Sequence, residues 1–232
     1  MTDRWDLAGL EEQIGYRMAD QALLRAALTH KSYSNEHPGV EAPHNERLEF
    51  LGDAVLDLCI GDLLFQRYPQ LSEGDLTRVR AELVNERSLA PLGEGLGLGG
   101  YLLLGRGEES SGGRQKPSLL ADALEAVLGA VYRDGGMAAV SAVIEALLAR
   151  QIDQAVQDRQ GTDYKTRLQE RLQASGCQLP SYQLLEAQGP DHQKSYVVEV
   201  LCGEQVIGTG HGRTKKAAQQ QAAYQALLRL DS

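Results

Sequence analysis

The sequence predicts an all-α domain followed by a small α+β domain of order α-β-β-β-α. Three observations carry this prediction. Apolar residues recur at three- and four-residue spacing through roughly the first 150 residues. A polar, glycine-containing stretch, Asp158–Asp163 (DRQGTD), then interrupts the pattern. Beyond it, short strand-like segments are flanked on both sides by helical ones.

The helical spacing is clearest in Asp20–Thr29, Asn45–Phe65, Leu76–Asn85, Leu119–Tyr132 and Met137–Ala149. Breaks are expected at His37-Pro38-Gly39, Pro69, Gly93–Gly100, Gly112-Gly113 and Gly135-Gly136. Residues 1–157 are therefore read as the helical domain, 158–163 as a linker and 164–232 as the second domain. In the latter, Tyr164–Ser175 is an amphipathic helix, and Ser181–Ala187, Lys194–Leu201 and Gln205–Gly210 are strands. Gly203-Glu204 makes a hairpin turn, and the alanine-rich Thr214–Leu230 closes the chain as a helix. Two helices on one face of a small antiparallel sheet bury its apolar side. Gln219–Gln221 reads as a solvated helix face.

A hydrophobic fraction of 42% is ordinary for a soluble globular protein. No stretch approaches the ~18 consecutive apolar residues of a membrane span, so no membrane partner is expected. The first residues, MTDRWDLAGLEEQ, are acidic where a signal peptide is basic and apolar, which predicts a cytoplasmic protein. Cys59, Cys177 and Cys202 form no CxxC pair and are read as buried or half-buried small apolar residues. The net charge of −9 is unevenly placed. Residues 1–162 carry 15 Lys and Arg against 25 Asp and Glu, whereas residues 163–232 carry 8 against 7. An acidic module thus precedes a near-neutral one, and acidic clusters can hold metal ions that in turn engage phosphates.

The acids are patterned. Glu46, Glu49 and Asp53 stand at i, i+3, i+7 in His44–Leu56 (HNERLEFLGDAVL) and share one helix face. Like charges so spaced repel, and divalent cations with oxygen ligands relieve the repulsion. Asp122 and Glu125 form a second pair on the otherwise apolar helix Leu119–Val131. Carboxylates in such surroundings need a partner. Glu73 is a further candidate. Periodicity alone leaves a metal site and a solvated acidic face both open.

The segment Asn45–Asp53 (NERLEFLGD) resembles the signature of the ribonuclease III family. The resemblance extends through Ala27–Glu36 (ALTHKSYSNE), Glu73–Asn85 and Leu120–Gly136 (LADALEAVLGAVYRDGG). It implies an all-α endonuclease domain in which Glu49, Asp53, Asp122 and Glu125 are catalytic metal ligands, with Glu46 and Glu73 as accessory catalytic acids. The implied cofactor is Mg²⁺, two ions per active site, with Mn²⁺ as a substitute and no organic cofactor. One ion would activate water and a second, about 3.5–4 Å away, would stabilise the leaving 3′-oxygen. The implied products carry 5′-phosphates and short 3′ overhangs, because two sites of a homodimer cut opposite strands. Phe50 and Leu51 lie off the acid face and could supply the dimer interface. Processing of ribosomal RNA precursors and other structured transcripts, including messenger RNA, is expected from the resemblance alone.

The second domain resembles the double-stranded RNA-binding domain in Lys165–Gln173, Leu179–Tyr182, Gly189–Lys194 and Gly208–Ala223. The resemblance implies that Gln169, Glu170 and Gln173 face one minor groove, that His192 reaches the next, and that Lys215 and Lys216 meet phosphates. Such domains span about 16 base pairs and read A-form shape. Gln219 stands where the family pattern has a basic residue, which predicts weaker, less salt-sensitive binding. Gly95–Gly100 (GLGLGG) lacks the strand and helix context of a dinucleotide site. His30 is read as a capping or packing residue, Asp57 and Asp62 as solvated, and Tyr101 and Tyr132 as core. Two other functions fit parts of the pattern: a non-catalytic double-stranded RNA-binding dimer, and a metal-dependent phosphohydrolase of small nucleotides. Duplex binding without metal-dependent cutting marks the first, and activity on mononucleotides marks the second.

Overall fold

The structure is a computed structural model that describes residues 7–37, 43–160, 164–188 and 194–230. It divides into two compact units, Met1–Ala155 and Val156–Ser232. Helix α9 runs to Gln160, so the expected linker begins inside a helix, and Gly161–Asp163 lie outside the described residues.

The first unit is helical: α1 (Ala8–Ile14), α2 (Gln21–Ala27), α3 (Lys31–Glu36), α4 (Glu46–Arg67), α5 (Glu73–Leu83), α6 (Glu86–Gly95), α7 (Leu98–Tyr101), α8 (Arg106–Ser110) and α9 (Pro117–Gln160). Side chains start several of them. Asp20, Ser72 and Asn85 accept backbone N–H bonds at the first turns of α2, α5 and α6. Asp134 closes the α1–α2 corner by accepting from Tyr16 Oη, Ala19 N and Asp20 N, each at 2.8 Å. A single parallel bridge, Thr29 with Leu103, joins the end of α2 to the segment after α7. Asn45 N then donates to Thr29 O at 2.8 Å, which fixes where α4 begins.

Helix α9 runs through the core. Its stretch Pro117–Gln157 is apolar and long enough to cross a membrane by composition. Here burial accounts for that composition: Leu120, Ala123, Leu124, Val127, Leu128 and Val131 are packed away from water. Gly136, at φ 73° and ψ −171°, breaks the helix in a conformation that favours glycine, at the expected position. Gly93–Gly100 behaves differently from expectation. Gly93 and Gly95 lie inside α6, and the chain turns only at Gly97, where φ is 63°. Low helix propensity was outweighed by packing, because a Cβ on Gly93 would sit 2.7 Å from Leu120 O of α9.

The decisive crossing is α4 over α9. A Cβ on Gly52 would fall 1.8 Å from Glu125 O, and one on Gly129 2.2 Å from Leu48 O. The two backbones touch, which only glycine at both positions permits. Around that contact Val55, Leu56, Cys59, Ile60 and Leu64 of α4 are buried.

The second unit orders α10 (Tyr164–Ala174), β1 (Ser181–Gln188), β2 (Ser195–Cys202), β3 (Gln205–Gly212) and α11 (Lys215–Leu230). The sheet is antiparallel in the order β1-β2-β3. Gly203, at φ 64°, turns β2 into β3. Leu168, Leu172, Val200, Ala222, Ala223, Ala226 and Leu227 form the core. Gly208, Gly210 and Gly212 lie flat against α11, where Ala218, Ala222 and Ala226 offer a matching low surface. The glutamine run is a solvated face only in part: Gln221 is exposed and Gln219 half-buried, whereas Gln220 is buried. Gln220 is 7% exposed and accepts from Lys165 N at 3.0 Å, while Gln221 accepts from His211 N. Gln220 can leave water there because a backbone donor of α10 satisfies it. Cys177 also departs from expectation, being exposed beyond the end of α10. Tyr101 and Tyr132 are half-buried.

Gly129→Ala should lower the unfolding free energy by about 2–3 kcal/mol, since rigid backbone must give way to the new methyl. Urea unfolding that leaves the midpoint of Gly129→Ala unchanged would show the crossing to be loose.

Candidate functional site

The helix crossing assembles the acids. Glu49 and Asp53 flank Gly52 along α4, and Glu125 stands one turn before Gly129 on α9. Because the backbones meet at those glycines, the carboxylates at the rim of the crossing converge. Ligand oxygens of Glu49, Asp122 and Glu125 lie within 4.8 Å of one another. All three side chains are half-buried, and Asp53 is exposed at the edge of the group.

Electrostatics record the crowding. Burial, then the Asp53, Asp122 and Glu49 carboxylates, push the Glu125 pKa up to about 7. Burial, then Glu86, raises Asp122. Burial, followed by Asp122 and Glu46, raises Glu49. Each group is held where its charged form is disfavoured, and each has another carboxylate as its neighbour.

The structure separates the remaining sequence candidates. Glu46 leaves the cluster for an ion pair, accepting from Lys31 Nζ at 2.7 Å. Glu73 opens α5 and accepts from Thr77 Oγ1 at 2.9 Å; it is not one of the converging three. Asp57 lies 3.6 Å from Arg80 Nε, and Asp62 accepts from Gln66 Nε2. His30 caps α3 through its ring, which accepts from Ser32 N at 3.3 Å, as the sequence suggested. Two neighbours of the site escaped the sequence reading, Lys31 and Glu86; with the ring of His30, which was read only as a capping or packing group, they act on the acids electrostatically. They arrive from α3 and α6, so no helical period links them to the acid face. The one available signal was Asn85-Glu86-Arg87, which repeats the Asn45-Glu46-Arg47 at the head of α4.

The donor set fits a hard divalent cation. It is all oxygen, carries several negative charges within one ion's reach, and lacks an internal cation among the converging three. In the second unit, Gln169, Glu170 and Gln173 are exposed on α10, and Lys215 and Lys216 are exposed as the first residues of α11. His192 lies outside the described residues. Gln219 accepts from Lys165 Nζ at 3.0 Å. Phe50 is 79% exposed, so it is not core, and Leu51 beside it is half-buried. Leu58 and Phe65 extend Phe50 into an exposed apolar stripe along α4.

The raised Glu125 pKa sets a pH dependence. A carboxyl that binds its proton more tightly in the folded state gives stability that is complete below its unfolded value near 4.5 and lost as pH rises through about 7. Without metal, wild type should therefore lose thermal stability between about pH 5 and 8, and Glu125→Gln should lose less. Parallel melting curves for the two proteins across that range contradict this electrostatic account.

Comparison with known proteins agrees with the folds of both units. Residues 20–152 match the family model Ribonuclease-III-like, and residues 164–230 match Double-stranded RNA binding motif. The chain is 52% identical to Ribonuclease 3 of Syntrophotalea carbinolica over 231 residues, covering the whole of both chains. It is 48% identical to Ribonuclease 3 of Geobacter sulfurreducens over 97% of this chain and 90% of the other. Among solved structures, the nuclease domain of ribonuclease III from Campylobacter jejuni superposes with a TM-score of 0.58 at 43% identity. That match covers 62% of this chain and 97% of the other. The chain belongs to the ribonuclease III family, with a double-stranded RNA binding motif following its Ribonuclease-III-like domain.

Proposed function

We propose that this protein is a homodimeric, Mg²⁺-dependent endoribonuclease that cuts double-stranded RNA, leaving 5′-phosphates, 3′-hydroxyls and short 3′ overhangs. The observation that carries the reading is the convergence of Glu49, Asp122 and Glu125 in a chain that also bears a double-stranded RNA binding motif. Residues 1–157 serve catalysis and dimerisation, 158–163 link, and 164–232 bind the duplex.

Glu49, Asp53, Asp122 and Glu125 would hold the metal, with Glu46 and Glu73 as accessory acids. Bound Mg²⁺, two ions per site and replaceable by Mn²⁺, supplies Lewis-acid polarisation of the phosphate and an acidified water. The chain supplies the rest. The carboxylates would hold the ion against a rigid helix crossing, and their half-buried setting would strengthen that hold. Lys31 neutralises Glu46, which lowers the repulsion an incoming phosphate meets. Gln169, Glu170, Gln173 and His192 face the minor grooves, and Lys215 and Lys216 bring cations and free amides of the α11 N-terminus to a phosphate. Phe50 and Leu51, with Leu58 and Phe65, form the dimer interface, because exposed aromatic side chains in one stripe are covered by a symmetric partner at least cost. The setting is the cytoplasm, and the substrates are precursors of ribosomal RNA and other structured transcripts.

A labelled RNA duplex of about 30 base pairs, longer than the ~16 one binding domain spans, tests the reading. Wild type should cut it with Mg²⁺ and not with chelator, and Glu125→Gln should still bind but cut roughly 100-fold slower or worse. Binding without cutting by wild type leaves a non-catalytic RNA-binding dimer. Replacing Lys215 and Lys216 by Ala should reduce the slope of log affinity against log salt by about one to two. An unchanged slope removes them from the phosphate contact.

A further inference from the structure

The fold brings together two cysteines that the sequence keeps apart. Cys177 follows the end of α10, where Gly176, at φ 72°, reverses the chain and Cys177 N donates to Leu172 O at 2.9 Å. Cys202 ends β2 at the hairpin turn, one residue beyond the Ser181–Leu201 pair. Its thiol lies 3.7 Å from Gln178 O, the carbonyl of the residue next to Cys177. The turn itself abuts that residue, since a Cβ on Gly203 would sit 3.5 Å from Gln178 Oε1. The Cys177 thiol is close enough to be among the groups that raise the Cys202 pKa. Cys177 is exposed and Cys202 is half-buried. The third cysteine, Cys59, is buried on α4 at 3% exposure, with Ser141 Oγ at 3.3 Å.

We propose that Cys177 and Cys202 form a thiol–disulfide modification site, which low-molecular-weight disulfides oxidise to an intramolecular bridge. The exposed Cys177 thiolate attacks the small disulfide first, forming a mixed disulfide and releasing one thiolate. The Cys202 thiolate then attacks the Cys177 sulfur and displaces the second. One small disulfide and two protein thiols give one protein disulfide and two small thiols, so the electrons balance. Access sets the order, because Cys177 is the more exposed of the two. Burial and the adjacent Cys177 thiol raise the Cys202 pKa, which lowers its thiolate fraction and disfavours it as the first attacker. In a reducing compartment the pair stays as thiols and closes when the disulfide pool rises. The bridge ties the C-terminal end of α10, the helix that carries Gln169, Glu170 and Gln173, to the β2–β3 turn. It thereby constrains the unfolded chain of the second unit.

The test uses the full chain with oxidised glutathione, followed by tryptic mapping under non-reducing conditions. Cys177 falls in peptide Leu172–Lys194, Cys202 in Ser195–Arg213 and Cys59 in Leu48–Arg67. The expected product joins the first two peptides, leaves Cys59 free, and reverts with reductant. The oxidised protein should melt roughly 5 °C or more higher in the transition of the second unit. Cys202→Ser should stop at a glutathione adduct on Cys177, and Cys177→Ser should abolish the shift. A stable glutathione adduct on wild-type Cys177, a bridge between two molecules, or a bridge involving Cys59 would overturn the proposal.

Discussion

The first unit depends on one contact: the backbone of α4 resting on the backbone of α9 at Gly52 and Gly129. Most helix pairs keep their axes apart by the thickness of their side chains. Here both side chains are absent at the crossing, and the carbonyls of Leu48 and Glu125 occupy the space a Cβ would need. The acids one turn away on each helix are consequently brought within one ion's reach. A larger residue at either glycine moves two elements and dismantles the site with them.

That arrangement carries an electrostatic cost which apolar burial elsewhere offsets. Leu124, Val127, Leu128 and Val131 of α9 are fully buried, as are Leu56, Ile60 and Leu64 of α4. This core holds the helices together against the repulsion between Glu49, Asp53, Asp122 and Glu125. The raised pKa values of Glu49, Asp122 and Glu125 are the trace of the conflict. A site that is strained without its cation and relaxed with it couples metal binding to stability. The second unit uses the same glycine device for another end. Its β3 glycines let α11 settle on the sheet, so that Lys215 and Lys216 start a firmly seated helix.

Much of this was legible in the sequence because helical period maps residues onto faces without any tertiary information. Glu49 with Asp53, and Asp122 with Glu125, were visible as pairs for that reason. The break at Gly136, the α-β-β-β-α order and the capping role of His30 were legible from local signals of the same kind. What period could not supply was meeting between elements. Lys31 and Glu86 reach the acids from α3 and α6, and Cys177 comes near Cys202 only where the α10–β1 connection passes the end of β2. Gln220 looked solvated because its partner, Lys165 N, lies in another helix. Gly93 looked like a breaker because the Leu120 carbonyl that requires it belongs to α9. Glu73 shows the converse: a family motif named it, and in the folded chain it bonds Thr77 apart from the converging three.

Anomalous scattering from crystals grown with Mn²⁺ tests most directly whether the α4–α9 crossing builds a divalent-cation site. The account predicts a strong anomalous peak ligated by oxygens of Glu49, Asp122 and Glu125, with Asp53 at its edge. No peak there, or Mn²⁺ held only by exposed acids such as Asp62 or Glu73, would contradict it.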